Sequence, residues 1–144
     1  MTVGYTHNTL AAAVIAQAGT VATVYDGNPP AASDLTVPSR YVIVYEGTGN
    51  GLLEFYASRY ARRRVTYLVV CVARTPSGVR DLVATVATAL QGWIPPAGGA
   101  EQLHEVSTGP VLTDGAEGDR RLSVTVEYAT HLTPPPVTRT DRGD

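Results

Sequence analysis

The side chains of this chain with the most chemical potential are three histidines, one cysteine and a run of arginines, and their spacing limits what they could do. His7, His104 and His131 stand far apart in sequence. None falls in H-E-x-x-H or another short ligand spacing, and only folding could bring them together. His104-Glu105 is a simple adjacency whose side chains diverge on either a helix or a strand. Cys71 is the single cysteine, so an intrachain disulfide and a cysteine-rich metal site are both ruled out. It lies inside the apolar run 65–73, where a thiol packs as a small hydrophobe. A nucleophilic thiolate would need an exposed, electropositive setting instead. Every basic residue is arginine, 11 in all, and lysine is absent. That removes Schiff-base chemistry, a P-loop lysine and a kinase-type strand lysine. Gly47, Gly49 and Gly51 suggest a nucleotide loop, but Leu52 stands where G-x-G-x-x-G needs its third glycine, and no helix pattern opens there. No G-x-S-x-G elbow occurs and no acid pair has matched surroundings. The expectation is a non-enzymatic protein, with no catalytic residues, no metal ligands and no cofactor.

One local stretch does stand out. Tyr56, Arg59, Tyr60, Arg62, Arg63 and Arg64 interleave aromatic and guanidinium groups. Such a stretch can stack on single-stranded nucleic acid, serve as a solvated turn, or anchor a protein interface, where Tyr and Arg are enriched. The chain carries 11 basic against 13 acidic residues, net −2. A dedicated duplex binder needs a positive excess, because neutralising phosphates supplies most of its affinity. These six residues are therefore the candidate subunit or partner interface. The terminal Arg142-Gly143-Asp144 matches an integrin tripeptide by chance.

With 144 residues and a 44% hydrophobic fraction, the chain suits one domain with a proper core. Its apolar runs are too short to span a bilayer. Ala16-Gln17-Ala18 has the form of a signal-peptidase site, yet no Arg or Lys precedes it and the apolar stretch 10–15 is short. An amphipathic helix explains the segment better, and a lone cysteine fits a reducing cytoplasm.

The elements that must position these side chains follow from periodicity. Leu10, Ala11, Val14, Ile15 and Ala18 form one helical stripe, predicting a helix over about 6–18, capped by Thr6 or Asn8 and ended by Gly19. Residues 21–25 make a short strand candidate, followed by a proline-rich loop over 26–40. Residues 41–45 are all β-branched or aromatic and predict a strand. A further strand over 52–59 is an open candidate. The run 65–73 is apolar on both alternating sets, as a central strand covered on both faces should be. Thr75-Pro76 starts a second helix, in which Val79, Leu82, Val83, Val86 and Leu90 recur on one face. Burying those five contributes on the order of 10 kcal/mol before entropy is charged. Gly92 and Pro95-Pro96 end it. Residues 111–113 and 122–130 flank a Gly/Asp-rich turn and predict a hairpin with one buried and one wet face. The fold class is thus α+β: a mostly antiparallel sheet with two helices on one face. The domain spans 1–132, and a Pro-rich tail follows over 133–144. Two helices comfortably cover only one face of that sheet. Loops or another subunit must cover the other, and the expectation favours a neighbouring subunit.

The ordered segments resemble the tail terminator (tail-completion) proteins of long-tailed bacteriophages, in particular those infecting actinobacteria. The resemblance is carried by the Ala-rich first helix, Val24-Tyr25-Asp26-Gly27-Asn28-Pro29-Pro30, and Tyr41-Val42-Ile43-Val44-Tyr45 running into the glycine loop. It continues with Val69-Val70-Cys71-Val72-Ala73-Arg74-Thr75 leading into the second helix and Trp93. Gly109-Pro110-Val111-Leu112 and the strand 122–128 complete it. It implies a homohexameric ring that caps the finished tail tube, stops its polymerisation and provides the surface that joins the head. The implied partners are copies of the same chain, the tail-tube protein and head–tail connector proteins, with DNA only passing through the lumen. No membrane is involved. The implied location is the head-proximal end of the virion tail, reached by assembly in the host cytoplasm. The alternatives are a head–tail connector or head-completion ring protein, and a small-molecule-binding α+β domain, which would need a pocket of convergent polar groups.

Overall fold

The computed structural model describes residues 7–30, 38–47, 63–96, 100–115 and 120–132. Helix α1 spans His7–Ala18 and α2 spans Pro76–Leu90. The strands are β1 (Val24–Asp26), β2 (Tyr41–Gly47), β3 (Arg63–Ala73), β4 (His104–Thr108), β5 (Leu112–Asp114) and β6 (Arg121–Leu132). Among the described residues they form one six-stranded sheet in the order β1-β2-β3-β6-β4, with β5 also paired to β6. The fold is α+β and mostly antiparallel, as expected, except that β1 runs parallel to β2. Parallel neighbours oblige the chain between Asp26 and Tyr41 to travel back to the starting end of the sheet.

Strand β3 is the centre, paired to β2 over seven residues and to β6 over eleven. Its register sets Cys71 between Val42 and Val124, and Val69 between Val44 and Val126. These side chains share one face, and both helices pack there: Leu10, Val14 and Ala18 of α1 join Val79, Leu82, Val86 and Leu90 of α2 in a single core. Gln17 Nε2 ties the helices by donating to the Ala89 carbonyl at 3.0 Å. Helix α2 starts as its sequence predicts. The Thr75 hydroxyl accepts from the Gly78 amide at 3.0 Å, and Pro76 occupies the first turn, where no donor is needed. At its end Gly92 adopts φ +79°, a left-handed conformation suited to glycine, and its amide donates to the Leu103 carbonyl.

The second face differs from expectation in part. Tyr41, Ile43 and Val72 are only 5% exposed although neither α1 nor α2 lies over them, and Tyr25, Tyr45 and Val70 pack around them. The β2 side of this face is therefore closed within one chain, without a neighbouring subunit. Further along β3, Leu68 is 36% exposed. On β6 the face expected to be wet is half-buried at Ser123, Thr125 and Glu127, and Ala129 is fully buried. The candidate strand over 52–59, the caps of α1 and the tail over 133–144 lie outside the described residues or side chains.

Candidate functional site

Of the Tyr/Arg stretch, Tyr56, Arg59, Tyr60 and Arg62 lie outside the described residues. Arg63 and Arg64 open strand β3, so this end of the stretch belongs to the sheet rather than to a turn. Arg64 is half-buried, sits directly opposite His131 on β6 and takes part in an interaction within the chain.

The strands bring two of the three histidines together. His104 on β4 pairs with Ala129, two residues before His131, so both histidines lie on the face away from the helices. Their rings stack 6.3 Å apart with planes 12° from parallel. His7 begins α1, and its side chain is not described. His104 and His131 border an open depression of about 570 Å³ whose other walls are Ile94, Ala100, Glu101 and Gln102. Hydrogen bonds frame it: the Glu101 amide donates to the His131 carbonyl at 3.0 Å, and the Thr130 hydroxyl donates to the Glu101 carbonyl at 2.6 Å. Among the described residues, no group of three or more His, Cys, Asp or Glu side chains could hold a metal ion.

The buried reactive groups are held inert. Cys71 is fully buried, and burial pushes its thiol up to about 12. Tyr67 and Tyr128 face each other across β3 and β6, fully buried in the helix-side core. Neither hydroxyl has a hydrogen-bond partner among the described residues. Burial, with the Glu46 carboxylate second, raises the Tyr67 phenol well above its usual range. Burial, then Glu105, then Cys71 raise Tyr128 to about 12. At neutral pH all three keep their protons, as packing residues do.

On the other face, Arg121 Nη1 donates to the Tyr41 hydroxyl at 2.8 Å with its guanidinium 5.7 Å from the ring centre, and Tyr25 meets Tyr41 edge-on at 5.5 Å. Tyr41 is buried and Tyr25 and Arg121 are half-buried, and together they brace the closed part of the face.

The outer edge of the sheet is the opposite case. Every residue of β4 and β5 is exposed. The edge nevertheless carries large apolar side chains: Val106 is 41% exposed, Val111 44% and Leu112 58%. A register shift between Glu105 and Ser107 breaks the β4 ladder beside Val106. Sequence reasoning missed β4 because His104-Glu105-Val106-Ser107-Thr108 has no apolar alternation. An edge strand exposed on both faces has no core to impose one.

No family model matches the sequence, and no curated protein matches it. Among solved structures, the chain is similar to a chain in the virion of a native gene transfer agent particle. The likeness is 16% in identity, with a TM-score of 0.49 over 85% of each chain. So loose a likeness says nothing of function.

Proposed function

We propose that this chain is a tail terminator: a non-catalytic virion subunit that closes into a six-membered ring, occupies the last position of the tail tube, halts its growth and presents the surface that joins the head. The observation that carries this reading is the β4–β5 edge. A sheet edge to which no further strand pairs among the described residues, with Val106, Val111 and Leu112 exposed along it, is a template for association. A cyclic ring places such a patch against a different patch on the next copy and closes only by rotation. The Tyr/Arg stretch from Tyr56 to Arg64 is the second patch in this account, and the ordered resemblance to tail terminators supplies the role of the ring.

The test is a phage lacking this protein. Tails longer than normal that fail to join heads support the terminator. Normal-length, head-attached tails overturn it. Tails of normal length accumulating beside leaking heads point instead to a head–tail connector.

A further inference from the structure

We propose that Asp114 is a site of spontaneous isoaspartate formation, a modification begun when the Gly115 amide nitrogen attacks the Asp114 side-chain carboxyl carbon. The chain holds two Asp-Gly steps, Asp26-Gly27 and Asp114-Gly115. Glycine after aspartate favours this reaction, because no Cβ obstructs the attack and the backbone turns freely into the ring geometry. The fold treats the two steps differently.

At the end of β5 the Gly115 amide donates to Asp114 Oδ1 at 2.9 Å. The carboxyl carbon is one bond from that oxygen, so nucleophile and electrophile are held side by side. Such a near-attack arrangement is what makes an intramolecular step fast. Gly115 has φ +94°, and both residues are exposed, so water reaches the site. At the end of β1 the Gly27 amide instead donates to the Val44 carbonyl at 2.9 Å. That bond ties the nitrogen into the sheet and commits its N–H to the neighbouring strand.

Ring closure joins Gly115 N to Asp114 Cγ. The nitrogen gives up its proton and the carboxyl group its hydroxyl, and the two leave as water. The resulting succinimide then takes up one water. Addition at the Asp114 main-chain carbonyl yields isoaspartate, with the chain running through Cβ, whereas addition at Cγ restores aspartate. No other reagent is needed. The product lengthens the main chain by one carbon where Asp114 pairs with Arg121, at the exposed edge and away from the core.

Peptide mass spectrometry of the purified full chain, incubated at neutral pH and then cleaved after arginine, tests this. Asp26 falls in peptide 1–40 and Asp114 in peptide 81–120. Peptide 81–120 should gain a species of unchanged mass and new retention time, which electron-transfer fragmentation assigns to isoaspartate at 114. Peptide 1–40 should change several times more slowly. Incubation in urea removes the folded geometry of both steps, and the difference should vanish. Asp114→Glu should abolish the new species, since the longer side chain must close a less accessible six-membered ring. Equal rates at the two steps of the folded chain, or a faster change at Asp26, overturn the proposal. So does a difference that persists undiminished in urea, because sequence rather than fold would then set it.

Discussion

The face of the sheet beneath α1 and α2 and the outer edge formed by β4 and β5 are built from the same residue types and used in opposite ways. Under the helices, valines alternate on β2, β3 and β6 with their partners in register, and every one is sealed. Along the outer edge, Val106 and Leu112 stand in solvent on strands of three to five residues, and Val111 is exposed just before β5. Valine at 69 removes apolar area from water when the chain folds. Valine at 106 gains little until a second surface arrives. Folding stability therefore concentrates in the first region, and the proposed association in the second.

The largest effect that could break this contrast is a cavity under the helices. Leu82→Ala should lower unfolding free energy by about 2–5 kcal/mol, measured by denaturant melts, because Leu82 is buried mid-stripe on α2. An unchanged melt would show that the stripe does not face the core.

Alkaline titration sharpens the same point. Cys71 and Tyr128 hold their protons to about 12 in the fold, against ordinary values of 9.0 and 10.0. A raised acid contributes stability that is complete below the unfolded value and is lost as pH rises through the folded one. Melting temperature should therefore hold up to about pH 9 and fall steadily from there toward pH 12. The Cys71→Ala variant should show a shallower fall.

Smaller effects follow at single groups. Thr75→Ala removes the hydroxyl that accepts from Gly78 and should cost about 1 kcal/mol in a thermal melt. Tyr67→Phe should be neutral or stabilising by up to about 1 kcal/mol, since the hydroxyl it removes is buried without a partner among the described residues.

Legibility in the sequence divides along the same line as these energies. Helix α2 announced itself through Thr75-Pro76 and the spacing of Val79, Leu82, Val86 and Leu90, because a buried face imposes periodicity. Strands β3 and β6 were legible for the same reason. Strand β4 was not, since exposure on both sides imposes no pattern. The parallel pairing of β1 with β2 was also hidden, because three residues carry no signal of direction. Closure of the second face over Tyr41, Ile43 and Val72 depends on Tyr25, Tyr45 and Val70 meeting across strands, which no local pattern encodes. The meeting of His104 and His131, 27 positions apart, is set by the β4–β6 register, which the sequence does not state.

The central claim is that the outer edge assembles the ring and contributes little to the fold. Light scattering of the purified protein tests it most directly when the native chain is compared with the Val106→Lys, Leu112→Lys double variant. The account predicts six-membered rings for the native chain. For the variant it predicts a folded monomer whose stability lies within about 0.5 kcal/mol of the native value, as for ordinary surface changes. Rings of native size formed by the double variant would contradict it.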